Sequence, residues 1–321
     1  LYVAVRRTLT TAPLGARSGW SAVMTTVRTL PALPLFIPGD ELPSSTVTAH
    51  NASLHSDNKI HDDEVAKKYG FAGGLVPGVT VYAHMVAPLA EALGERWLTI
   101  GTATVAFVQP LYEQQMAVSR ATVLEVNSGE PVDAVVFDIR TENSAGERCG
   151  TGTATVTSKP ARGPVEVPDY VNVDPGSPPD PRPDLRLETA SVGTVLARLV
   201  APTTAEVARD YAQNVFDNNG LFTESSIWGP PLMHPGWLLS ECNRIFTQSY
   251  SFGPWIHTRS QIRYLGPALA GRTFTFHGRL AEVYERRLHH YAVLDIFCID
   301  DHGRQVMQVQ HTAIFKVHPK T

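Results

Sequence analysis

Hydrophobic and polar positions alternate in two ways along this chain, and the two ways recur in the same order. From Val79 to Leu93, apolar Val81, Met85, Leu89 and Leu93 recur at helical spacing, which predicts a helix with one buried face. Much later Trp237, Leu238, Leu239, Cys242 and Ile245 give a similar stripe. Each stripe follows a Pro-Gly pair, Pro77-Gly78 and Pro235-Gly236, and a proline there is harmless because its missing N–H would have no partner at a helix start. After each helix the pattern turns to runs rich in Val, Thr, Phe and Ile, the composition of strands. These runs are 105–109, 116–126, 132–141 and 152–158 in the first half, and 258–265, 273–284, 290–299 and 305–317 in the second. Turns are expected at Asn143 to Gly146 and at Asp300 to Gly303, and one more strand before each helix, near 45–51 and 191–200.

The stretch from Pro160 to Pro183 holds prolines at 160, 164, 168, 175, 178, 179, 181 and 183, a run that sustains neither a helix nor an inner strand and reads as a linker. The segments on either side align with a fixed offset, 267 − 110 = 157, which places Pro110 on Pro267. The same shift puts Glu125-Val126 on Glu282-Val283, Asp138-Ile139 on Asp295-Ile296, Gly146 on Gly303 and Thr155 on Thr312. Pro77-Gly78 matches Pro235-Gly236 with a slip of one residue. A shared register of this length is a duplication. It divides the chain into a leader at 1–30, a first unit at 31–159, a linker at 160–186 and a second unit at 187–321. A helix with one apolar face, followed by strands that turn back on one another, is buried most simply when a curved antiparallel sheet wraps it, so the expected class is α+β. Two such units joined edge to edge remove exposed strand edges. Two independent α+β domains satisfy the same periodicity.

Composition narrows the function. The chain has 321 residues, enough for two cores, and is 43% hydrophobic and 18% charged, which is ordinary for a folded protein. A net charge of −4 gives no long-range pull toward nucleic acid or an anionic membrane, so a small ligand or a second copy of the chain, a homodimer, is the expected partner. No run of 18 apolar residues suggests a membrane helix. Cys149, Cys242 and Cys298 are odd in number and lack metal-ligand spacing, which points to a reducing compartment and a cytoplasmic location. The first 23 residues carry Arg6, Arg7 and Arg17 and no acid. This segment reads either as a transit-like segment or, the reading preferred here, as a start of translation set too early, the first methionine being Met24.

The chemistry concentrates between Ser56 and Gly78. Ser56-Asp57-Asn58-Lys59-Ile60-His61-Asp62-Asp63, followed by Val65 to Tyr69 and Gly70-Phe71-Ala72-Gly73-Gly74-Leu75-Val76-Pro77-Gly78, resembles the motif of the MaoC-like, or (R)-specific enoyl-CoA hydratase, family. The family pattern is Asp-x-Asn-Pro-x-His, then a turn and a glycine that opens the long helix. The resemblance implies a tandem (double) hotdog fold and action on acyl thioesters without a cofactor or a metal, the CoA or carrier-protein thioester being the substrate. It assigns Asn58 and His61 to the family's asparagine and catalytic histidine, and Gly78 to the helix-opening glycine. The departures are Ser56 in place of the catalytic aspartate and Lys59 in place of the proline. In the second half Asp217-Asn218-Asn219 keeps the aspartate and asparagine, but Phe222 stands where the histidine belongs.

Hydration of an enoyl thioester needs a group that activates water and donors that hold the thioester oxygen as charge builds on it. His61 is expected to do the first, with Asp57 as the substitute carboxylate if the loop shifts by one residue; Asp62 and Asp63 lie close in sequence. The free N–H groups at the helix start, Gly78 and Val79, suit the second. The bland reading of His61 is a helix-start histidine with Asp62 and Asp63 as first-turn acids. Asp217 reads as a turn former, and His234 as a pocket-lining or capping residue. His50, His55 and His61 lack the spacing of metal ligands. His289-His290 is expected at the surface, and Arg259 and Arg263 are candidates for a CoA phosphate. The expected function is an acyl-thioester hydratase or dehydratase, with a hotdog thioesterase or a non-catalytic acyl-binding protein as the alternatives.

Overall fold

A computed structural model describes residues 29–53, 56–127, 133–160 and 164–319. Nearly all of the leader, and His55 of the histidine trio, lie outside the described residues. The first half runs β1 Ser45–Thr48, α1 Asp63–Lys68, α2 Gly78–Leu93, α3 Glu95–Ile100, β2 Thr102–Phe107, β3 Met116–Asn127, β4 Ala134–Glu142 and β5 Arg148–Thr157. The second runs β6 Val195–Pro202, α4 Ala205–Asn214, α5 Gly220–Thr223, α6 Pro235–Ser249, β7 Ile256–Tyr264, β8 Thr273–Arg286, β9 His289–Asp300 and β10 Gln305–Lys316.

All ten strands form one antiparallel sheet in the order β1-β3-β4-β5-β2-β7-β10-β9-β8-β6. The order within the first half is mirrored in the second, and the halves meet at β2–β7, where Ala103 pairs with Ile262. Independent domains are thereby ruled out: closing the two inner edges against each other leaves only β1 and β6 as edges. The duplication shows again in the turns. Asn143 Oδ1 accepts from the N–H groups of Ala145 and Glu147, and Asp300 Oδ1 does the same for His302 and Arg304. Gly146 and Gly303 supply the positive φ, 77° and 74°, that each turn requires.

The helical stripe buries as its spacing predicts, with Val81, Met85, Leu89 and Leu93 all inside. In α6, Leu238, Leu239, Cys242, Ile245 and Phe246 are inside too. The two long helices pack on each other and on the strands, and one apolar cluster runs through both halves, from Phe137 to Phe276. Tyr82 and Tyr264 join the halves through their hydroxyls at 2.6 Å. All three cysteines are free and buried. His290 is buried as well, against the surface expectation for that pair, because β9 turns its side chain onto Phe315. No helix among the described residues is long and apolar enough to cross a membrane.

Candidate functional site

The motif folds as a short 3-10 turn, Lys59–His61, opened by Asn58, whose side chain accepts from the Ile60 N–H. The same carboxamide reaches into the other half. Its Oδ1 accepts from the Trp255 N–H at 3.1 Å, and its Nδ2 donates to the Trp255 carbonyl at 3.0 Å. Asn58 Nδ2 also lies 3.2 Å from His61 Nε2. On the opposite side of the ring, His61 Nδ1 is 2.6 Å from the Leu75 carbonyl. A carbonyl only accepts, so Nδ1 carries the proton and Nε2 presents its lone pair. Burial lowers the His61 pKa, partly offset by the bond to Leu75, so the neutral, basic imidazole is favoured.

Asn58, His61 and Gly78 line one cleft of about 430 Å³, within the range of small-molecule sites. Val79 is buried beside it in the apolar cluster and does not line it. The N–H groups of Gly78 and Val79 have no partner among the described residues, as expected for a helix start without a side-chain cap. A side chain here would be tight: a Cβ at 78 would stand 3.0 Å from the Phe107 ring and 3.2 Å from His257 Nδ1.

Asp57 is corrected by the structure. It is exposed and touches neither ring nitrogen of His61, because Asn58 turns inward to Trp255 and leaves its chain neighbour facing out. The other nearby acids are engaged elsewhere. Asp62 caps α1 through the Val65 N–H, and Asp63 accepts from the Gly74 N–H. Among the described residues no carboxylate contacts the His61 ring. His50 pairs with Glu113 at 3.0 Å, away from the cleft.

Part of the lining comes from the second half and carries no local signal in the sequence. His257 packs edge-on against Phe107, and its Nε2 lies 2.9 Å from Ser260 Oγ, which in turn lies 3.2 Å from His311 Nδ1. Burial, then the neighbouring His311, lowers the His257 pKa well below the ordinary histidine value. Asn243 of α6 offers a buried carboxamide oxygen with no protein partner. Exposed Arg286 and Arg287, at the β8–β9 turn, line the same cleft and form no ion pair among the described residues. They occupy the place that the sequence suggested for Arg259 and Arg263, neither of which reaches this cleft.

The equivalent motif in the second half borders a cleft of about 350 Å³ but presents different groups. Asn219 caps α5 as Asn58 caps its turn, and buried Phe222 follows where His61 would stand. His234, at the position of Val76, accepts the Gly236 N–H on Nδ1 at 3.0 Å and meets Asp217 Oδ2 through Nε2 at 3.2 Å. The helix-start donor that is open at Gly78 is therefore consumed at Gly236. Asp217 also holds the Asn219 N–H, the turn-forming role expected of it. Burial would raise its pKa, but the bonds from His234 and Asn219 outweigh that, and the net shift is downward. Tyr211 and Ala83 crowd the helix start, standing 2.5 and 2.8 Å from where a Cβ of residue 236 would be.

The sequence matches no protein-family model and no curated protein sequence. The fold is similar to that of a protein described as a MaoC domain dehydratase from Chloroflexus aurantiacus J-10-fl (TM-score 0.66, 11% identity, 88% of this chain and 96% of that one). It is similar to a Mycobacterium tuberculosis protein with a double hotdog fold (0.59, 13%, 87% and 96%). A further likeness is to a MaoC-like dehydratase (0.56, 16%, 82% and 91%). At these identities the likeness is one of fold: the chain is a double hotdog, and its structural neighbours include MaoC-like dehydratases.

Proposed function

We propose that this chain is an acyl-thioester hydratase or dehydratase working at the first-half cleft alone, with each half curving its sheet around its long helix. The observation that carries the reading is the presence, in the lining of one cleft, of a neutral imidazole and an uncapped helix start. In the hydration direction His61 Nε2 takes a proton from water as the water oxygen bonds to the β-carbon. The double-bond electrons move toward the thioester carbonyl, whose oxygen takes up charge against the Gly78 N–H. The proton held on His61 then passes to the α-carbon, and the imidazole is neutral again. In the resting site the Nε2 lone pair accepts from the Asn58 carboxamide at 3.2 Å, which fixes the ring until water takes that place. Neighbours described as dehydratases agree with this choice of chemistry.

A second reading, acyl binding without turnover, draws on the lack of a carboxylate against the His61 ring among the described residues. A thioesterase reading differs in placing the water on the carbonyl carbon. One assay on a panel of 2-enoyl-CoA and saturated acyl-CoA thioesters separates all three. The proposal expects hydrated product from enoyl thioesters with no free thiol. Free thiol assigns a thioesterase, and saturable binding without either product assigns a binding protein.

A further inference from the structure

A cleft of about 1170 Å³, larger than the one that holds His61, stands apart from it. It lies between the outer face of the sheet and the proline-rich segment that follows β5. Its floor is a row of cross-strand neighbours. Thr102 pairs with Arg263, and Gln305 with Ile299, which pairs in turn with Thr275. The roof is held down by Gln305, whose carboxamide both accepts from the Val165 N–H and donates to the Val165 carbonyl. Farther along, Tyr170 and Val171 pack on Phe297. The outer face of a one-sided antiparallel sheet is ordinarily polar, yet here Ile299 and Leu265, with Val165, Val167 and Val171 above them, give the cleft apolar walls.

Its charges are unbalanced. Lys159, Arg198, Arg263 and Arg304 line it, with Asp300 as the single carboxylate. Asp300 is already engaged by the N–H groups of His302 and Arg304, and Arg198 donates to the Val173 carbonyl. Lys159 and Arg263 are exposed and make no ion pair with a described residue. A recess with apolar walls and two unanswered cations, on a protein of net charge −4, is complementary to an apolar body bearing one anionic group. The apolar walls fit a hydrocarbon chain, and the two exposed cations among the lining residues fit its anionic head. We infer that this cleft binds a free fatty acid, at a site separate from the His61 cleft and independent of the reading given to it.

Calorimetric titration of the whole chain with laurate, below its micelle concentration, tests this. The expected result is saturable one-to-one binding, weakened about tenfold or more in the Lys159→Ala/Arg263→Ala double variant and abolished in Val167→Trp, which fills the cleft, with melting temperatures unchanged. Dodecyltrimethylammonium, the same chain with a cationic head, is expected not to bind. The inference is overturned if laurate does not saturate a site, if either variant binds it as the wild type does, or if the cationic amphiphile binds equally. It is overturned too if the chain adsorbs to anionic lipid vesicles through these cations while ignoring monomeric laurate, an outcome that assigns the patch to a membrane surface.

Discussion

The carboxamide of Asn58 pairs in both directions with the backbone of Trp255, 197 residues later in the chain. That pair ties the motif of one half to the lip of the other, so the cleft exists only because the halves share a sheet. The same carboxamide steadies His61, which makes Asn58 a positioning residue for the base.

Replacing Asn58 by alanine removes these bonds and leaves the Trp255 N–H unanswered. A stability loss of about 1–3 kcal/mol is expected, together with a fall in kcat larger than any rise in KM. Denaturant unfolding and steady-state kinetics on the same samples check both. A variant of wild-type kinetics would show that the pair holds the lip and nothing more.

The helix-start contrast gives a second prediction. Gly78→Ala brings a methyl group against Phe107 and His257, and Val76→His supplies the first half with the cap that His234 provides to Gly236. Val76→His, which captures the donor, is expected to lower kcat by about 10²-fold, the usual consequence of losing one oxyanion donor, and Gly78→Ala, which keeps its N–H, by less. Circular dichroism melting keeps loss of fold separate from loss of the donor.

Acid dependence follows from the buried histidines. Burial, first of all, lowers the His84 and His277 pKa values to about 4 and that of His311 to about 3, from an ordinary 6.5. The unfolded chain takes up protons near 6.5 that the folded chain refuses, so this stability is fully present above pH 6.5 and is lost as pH falls toward 4 and then 3. Melting temperature is expected to drop across that window, and less steeply in His84→Gln. The activity profile has the same sign, since His61 must be neutral, and its acid limb is expected to have a midpoint below 6.5.

Exposed Arg286 and Arg287 line the His61 cleft, and under the proposed reading they meet the phosphates of the carrier. Alanine at both is expected to raise KM for CoA thioesters and leave KM for the corresponding pantetheine thioesters unchanged, the first effect shrinking as salt is added.

What could be read from the chain, and what could not, divides along a physical line. The long helices were legible because each presents a full apolar stripe, and the closeness of Asn58, His61 and Gly78 in one contiguous segment is matched by their lining one cleft. The helix Ala205–Asn214 was missed: it buries only Ala208 and Ala212, too little apolar surface to show a stripe, although Thr204 and Glu206 mark its start. Asp57 was misjudged because a shift of one residue in a loop decides which side chain faces inward, and the bond from Asn58 to Trp255 makes that decision from the other half of the molecule. His257 and Asn243 reach the cleft across the β2–β7 seam and along α6, and no spacing near His61 announces them. The capped state of Gly236 depends on a contact between residues 17 apart, Asp217 and His234, neither of which is unusual alone.

The central claim is that the neutral imidazole at position 61 does the chemistry. The direct measurement is kcat/KM of the full chain and of His61→Gln on an enoyl-CoA substrate, with substrate binding and melting temperature recorded on the same preparations. The account predicts a loss of about 10²- to 10⁴-fold in turnover with binding and fold retained. A His61→Gln protein that hydrates at the wild-type rate would contradict it.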